Sequence, residues 1–213
     1  SVKKDGVYEI DGAMYRFDAN GTMYKKRWYT DEKGKKQYFG ENGAMCRGQW
    51  FSISGERADG SEYTNWFYAD ENGLILTNGW KTVDGKDYSF NTGGNISTGW
   101  LDDDKYYCGD DGARRYGWSW IELDYDWIDD NDNVRRYADQ NGDWGWFYFS
   151  PESGRKRESG SGFEESRVDG ITYCFDTYGI MQMGWVKMRG ASPALSGYRY
   201  YSPSAGLEGL RQG

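Results

Sequence analysis

The chain of 213 residues carries 34 acidic and 26 basic side chains, a formal net charge of −8, and no histidine. Its Lys and Arg are scattered, which argues against a nucleic-acid or anionic-membrane partner, since neutralising phosphates needs clustered cations. The missing histidine removes His-based triads, His metal ligands and His general bases. No apolar run approaches the roughly 18 residues that insertion across a membrane needs.

Aromatic residues make up 18% of the sequence and glycine occupies 31 positions, while Leu, Ile and Val are scarce. A core must therefore be built largely from Trp, Tyr and Phe, whose faces bury much area per residue.

One motif recurs along the chain. "YRFDANGTM" (15–23) returns as "QYFGENGAM" (37–45), "FYADENGLI" (67–75), "YSFNTGGNI" (88–96) and "YYCGDDGAR" (106–114). It continues as "RYADQNGDW" (136–144), "YCFDTYGIM" (173–181) and, more weakly, "YYSPSAGLE" (200–208). The turn glycines are Gly21, Gly43, Gly73, Gly94, Gly112, Gly142, Gly179 and Gly206. A Trp follows most of them, at Trp28, Trp50, Trp80, Trp100, Trp118, Trp146 and Trp185, and Gly precedes it directly in five of these seven. Asn-Gly and Asp-Gly favour positive-φ turns, so each motif is expected to close a two-stranded hairpin. The strand before it alternates with period two. Residues six and four before the glycine form a mostly apolar face, as in Tyr15/Phe17, Tyr88/Phe90 and Tyr173/Phe175. A lone hairpin of about 20 residues is marginal in water and gains stability by stacking on the next copy.

The expected fold is all-β, a β-solenoid of about eight stacked hairpin repeats forming a single domain over residues 1–213. Uneven spacing places insertions near 51–65, 119–135, 155–168 and 189–197, and 147–154 reads as a further degenerate copy. The acidic run 124–133 reads as a solvated loop, and "SGRKRESGSG" as a mobile one. Asp102–Asp104 fall where other copies carry "VDGK", so they read as a strand-to-strand turn. Cys46, Cys108 and Cys174 lack CxxC spacing and read as small buried hydrophobes. No metal or cofactor is expected.

The repeated pattern resembles the bacterial cell-wall-binding repeats, a family that includes choline-binding modules, glucan-binding repeats of glucosyltransferases and repeats of clostridial toxins. "VDGKDYSFNTGGNISTGW" (83–100) and "VDGITYCFDTYGIMQMGW" (168–185) carry it most clearly. The resemblance implies a secreted or cell-surface protein that binds choline or carbohydrate between consecutive hairpins. In choline-binding members the cage takes the Gly-Trp tryptophan and a second Trp seven residues before the turn glycine. Here that position holds Met14, Lys36, Trp66, Asp87, Lys105, Arg135, Thr172 and Arg199, so Trp66 alone fits. One cage is expected around Trp50, Trp66, Tyr68 and Trp80, and a second through Trp146 and Tyr148.

The first expectation is a non-catalytic module that binds a cell-wall polysaccharide or surface glycan. Its aromatic sites would draw on Trp50, Trp66, Tyr68, Trp80, Trp100, Tyr107, Trp118, Trp146, Tyr148 and Trp185. Choline recognition through one or two cages, a ligand-free spacer, and a glycosidase-like enzyme stand as alternatives. An uncapped end also leaves room for a homodimer.

Overall fold

The structure is a computed structural model that describes residues 3–188 and 197–202. It is built almost wholly of two-stranded antiparallel hairpins. In chain order these are β1(Gly6–Ile10)/β2(Ala13–Phe17), β3(Arg27–Thr30)/β4(Lys36–Phe39), β5(Gln49–Glu56)/β6(Glu62–Ala69) and β7(Gly79–Val83)/β8(Lys86–Phe90). They continue as β9(Gly99–Leu101)/β10(Tyr106–Cys108), β11(Gly117–Glu122)/β12(Trp144–Phe149), β13(Glu164–Val168)/β14(Ile171–Phe175) and β15(Gly184–Lys187)/β16(Tyr198–Tyr201). The chain divides into two compact units, Ser1–Thr98 with Asp110–Ala113, and Gly99–Gly109 with Arg114–Gly213.

The anchor glycines do not join the paired strands, as the sequence suggested. The paired strands meet through a different turn, Asp-Gly with both residues at positive φ, at Asp11-Gly12, Asp84-Gly85 and Asp169-Gly170. This two-residue geometry matches the twist of an antiparallel pair. In the fifth hairpin the same role falls to Asp102, Asp103 and Asp104, at φ 54, 55 and 58. The expected strand-to-strand turn is thus observed.

The anchor glycine instead closes a second turn, after the hairpin. There an Asp accepts backbone N–H groups two and four residues on: Asp18 from Asn20 and Thr22, Asp70 from Asn72 and Leu74, Asp176 from Tyr178 and Ile180. The residue two past the glycine then bridges back to the residue four before it, as in Phe39↔Met45, Ala69↔Ile75, Phe90↔Ile96 and Phe175↔Met181. Its N–H also donates to the preceding hairpin: Met45 to the Met14 carbonyl, Ile75 to Lys36, Ile96 to Trp66 and Met181 to Trp146. That bond fixes the stacking register of consecutive hairpins.

Further expectations are corrected. Gly142 is not a hairpin anchor but the C-cap of helix α2(Asp132–Asn141), with its N–H on the Ala138 carbonyl. The turn of the sixth hairpin lies at Ser150–Gly154, one residue longer than elsewhere, and bridges Phe149↔Lys156. The degenerate copy read at 147–154 is that turn. The acidic run is not a loop: α1(Tyr125–Asp130) begins at the Asp124 cap and α2 at the Asn131 cap, each cap side chain accepting a backbone N–H of the first turn. Both helices occupy the loop of the sixth hairpin, so the fold is mostly rather than purely β.

The stretch 155–168 is not a free loop at its start, because Lys156 and Ser159 are buried. The insertion at 51–65 adds no new element, only two long strands of eight residues. The segment 189–196 and Gly206 lie outside the described residues.

The core is aromatic, as composition demanded. The residue four before most anchors is sealed: Phe39, Ala69, Phe90, Cys108 and Phe175 are all essentially inaccessible, Phe149 does the same in the sixth hairpin, and Phe17 in the first is half-buried. Cys46, Cys108 and Cys174 are buried, and no disulfide joins them among the described residues.

Candidate functional site

Each repeat tryptophan on the first strand of a hairpin faces a fixed partner across that hairpin. Trp28 pairs with Tyr38, Trp50 with Tyr68, Trp80 with Ser89, Trp100 with Tyr107, Trp118 with Tyr148 and Trp185 with Tyr200. The indoles of Trp28, Trp50, Trp100 and Trp118 also lean onto the following hairpin. Trp50 lies 4.7 Å from Tyr88 and 6.1 Å from Phe90, ring centre to ring centre. Trp100 meets Phe147 at 5.0 Å and Phe149 at 6.0 Å, and Trp118 meets Tyr173 at 4.6 Å and Phe175 at 5.9 Å. Such ring pairs contribute about 0.5–1.5 kcal/mol each beyond the area they bury. These tryptophans therefore hold one hairpin to the next, and a ligand can reach only what this packing leaves open.

Three stacking junctions carry two indoles, and they differ. Between the third and fourth hairpins Trp50, Trp66, Tyr88 and Ile96 surround a cavity of about 430 Å³, with Asp110 and Asp111 at its edge. Trp66 is 45% exposed there. Alternation explains why: along β6, Trp66 and Tyr68 share one face while Phe67 turns to the core. Tyr68 packs edge-on against Trp50 at 5.2 Å, and neither it nor Trp80 lines the cavity. The cage expected from Trp50, Trp66, Tyr68 and Trp80 is thus half assembled from other residues. Tyr88 and Ile96 come from the next copy, and the repeat alignment held the signal, since that copy's minus-six residue covers this copy's tryptophan.

Between the sixth and seventh hairpins the equivalent set is Trp118, Trp146, Tyr173 and Met181, as the Met181 N–H on the Trp146 carbonyl shows. It is filled. Trp146 is 1% exposed, Tyr148 is buried, and Trp120 covers Trp146 at 5.2 Å. Although Gly145 precedes it, Trp146 lies on the second strand of its hairpin, opposite Trp120, and so does not hold the place of the first-strand repeat tryptophans. The third junction, around Trp100 and Tyr107, has its second indole from helix α1, Trp127 at 5.1 Å, and contains the Lys156 ammonium. Trp185, with Tyr200, is exposed and lines none of these sites.

One surface was missed by sequence reasoning. Trp120 and Trp144 flank a shallow slot of about 320 Å³ with Asn141, Gly142 and Asp143. Trp144 follows a glycine taken as a repeat anchor, which hid it.

No family model matches the chain. In sequence it is similar to glucosyltransferase-S of Streptococcus downei, 29% identical over 146 residues, or 68% of this chain and 9% of the relative. Glucosyltransferase-S of Streptococcus mutans serotype c is 29% identical over 89 residues, 42% of this chain and 6% of that one. The chain thus spans less than a tenth of the curated relatives it matches. Among solved structures, choline binding protein F from Streptococcus pneumoniae superposes with a TM-score of 0.57, covering 90% of this chain and 54% of that one at 22% identity. The same protein with a peptidoglycan analogue gives 0.53, covering 84% and 52% at 22% identity. The chain has the fold of the choline-binding repeat proteins. The resemblance to choline- and glucan-binding repeats is borne out.

Proposed function

We propose that this chain is a non-catalytic, cell-wall-binding module of a secreted or surface protein. Its hairpins would form a solenoid that recognises a quaternary ammonium group, such as choline on a cell-wall polymer. The observation that carries this reading is the Trp50–Trp66–Tyr88 cavity with Ile96 as its fourth wall and Asp110 and Asp111 beside it. A methylated cation needs ring faces and nearby negative charge but no hydrogen-bond donors, and each ring contact supplies about 0.5–2 kcal/mol. A sugar needs several polar partners at fixed positions, and the lining here is mostly apolar ring and alkyl surface. That ordering reverses the expectation drawn from sequence, where glycan came first.

A second reading, carbohydrate binding, is favoured by the Trp120–Trp144 slot, where two indoles flank an amide and a carboxylate. The curated relatives bear the name of a glucose-transferring enzyme, which points to the same ligand class.

Tryptophan fluorescence titrated in parallel with choline and with oligosaccharides separates the two. We expect saturable quenching by choline that Trp66→Ala weakens at least about tenfold, the loss of one strong ring contact. A choline response unchanged by Trp66→Ala, or a response to sugars alone that Trp144→Ala removes, would overturn the choice of ligand.

A further inference from the structure

Lys156 stands at a repeat position that is apolar in most copies. Two residues past the anchor the other hairpins carry Met23, Met45, Ile75, Ile96 and Met181, with Arg114 the other cation. The backbone proves the equivalence: the Lys156 N–H donates to the Lys105 carbonyl as the Ile96 N–H donates to the Trp66 carbonyl. Ile96 is a wall of the open cavity. Lys156 is therefore the corresponding wall residue two repeats further along the chain, with a side chain long enough to enter the site itself.

It does enter. Lys156 is 5% exposed, and its Nζ lies 4.9 Å from the centre of the Trp100 ring and 5.2 Å from that of Trp127. Glu158 Oε2 is 3.4 Å away. Two indole faces and one carboxylate around a cation repeat the chemistry of the Trp50–Trp66 cavity with its two aspartates. The second indole comes from helix α1, because the minus-seven residue here is Lys105. Burial lowers the Lys156 pKa, and Glu158 opposes that shift.

We propose that Lys156 is a tethered occupant of a second cation site, closing the Trp100–Trp127 box to external quaternary ammonium ligands. The chain would thus set its own ligand count by filling one aromatic box with its own ammonium. The choice of ligand rests on the cation reading of the Trp50–Trp66 cavity, so the test is made in a background where that cavity is disabled.

Trp66→Ala and Trp66→Ala/Lys156→Ala are titrated with tetramethylammonium, followed by calorimetry and by the shift in melting temperature. Truncation to Ala vacates a volume close to that of the probe. The double variant is expected to bind at least about tenfold more tightly than the single one, and adding Trp127→Ala should abolish the gain. Equal weak binding by both folded variants would overturn the proposal. If the wild type ignores choline while the double variant binds tetramethylammonium, the cavity reading fails and this inference stands. The reverse pattern sinks this inference alone. Should Lys156→Ala not fold, the wild type decides: the Lys156 ε-methylene protons must resonate upfield of ordinary lysine, shifted by ring currents. Resonance at the ordinary position would also refute the proposal.

Discussion

Asp176 begins the turn that ends at Gly179, the role taken by Asp18 and Asp70 in earlier copies, yet it alone of the three is buried. Gln182 Nε2 donates to its second oxygen at 3.3 Å. Burial pushes its carboxyl up to about 6, against the opposing pull of the Ile180 and Tyr178 N–H groups and of the Lys156 charge. The native pKa lies above the unfolded one of 3.8, so between those values the folded chain keeps a proton that the unfolded chain has released. The group's contribution is full below about pH 4, falls as pH rises, and is lost above about pH 6. Asp176→Asn keeps an acceptor for the turn and removes the titration. Urea unfolding of both proteins should show wild type gaining on the variant by up to about 3 kcal/mol between pH 7 and pH 4, two units at 1.36 each. A constant difference across that range would refute the assignment. Groups shifted the other way, such as Glu165 held down by its hydrogen bond from Arg199, are common to both proteins and cancel.

At the scale of the element, two glycine turns look alike in sequence and differ in what surrounds them. Gly170 has φ +84 with nothing within 4 Å of where a Cβ would stand. Gly179 has φ +83, and a Cβ there would lie 2.7 Å from the Arg157 backbone carbonyl. Gly170→Ala should therefore cost only the left-handed penalty of about 1–2 kcal/mol. Gly179→Ala should cost distinctly more, because the neighbouring backbone must move; urea midpoints of the two variants check the order. The same contrast marks what was legible in the sequence. The turns at Gly21, Gly43, Gly73, Gly94, Gly112 and Gly179 were found, because an Asn or Asp that opens the turn or stands just before its glycine is a strong local signature in all six. Gly142 misled, since Asn-Gly also ends helices. The true turn at Ser150–Gly154 lacks an Asn or Asp before its glycine, so it was legible only as the degenerate copy at 147–154.

Across the whole chain, an aromatic repeat supplies many rings but few openings. Trp28, Trp50, Trp100 and Trp118 all pack on the next hairpin, so the count of tryptophans overstates the count of sites. The second ring of each box decides more: Lys36 leaves one junction without it, Trp66 completes the open cavity, and Trp146 is sealed by Trp120. The minus-seven rule found Trp66 from sequence. It missed Trp146 because the sixth anchor was placed at Gly142 and its real turn has an extra residue. No local rule could place Lys156 between two indoles, since Trp127 arrives from a helix that the pattern did not foresee. Calorimetry with choline should accordingly give one site per chain for the described residues, where one site per Gly-Trp would give several. Trp50→Ala should abolish that binding. Trp118→Ala should leave it intact while lowering stability by about 3–5 kcal/mol, the usual effect of deleting a packed indole. A stoichiometry well above one in the wild type would mean that the packed tryptophans open to ligand, and would remove the distinction between the three junctions.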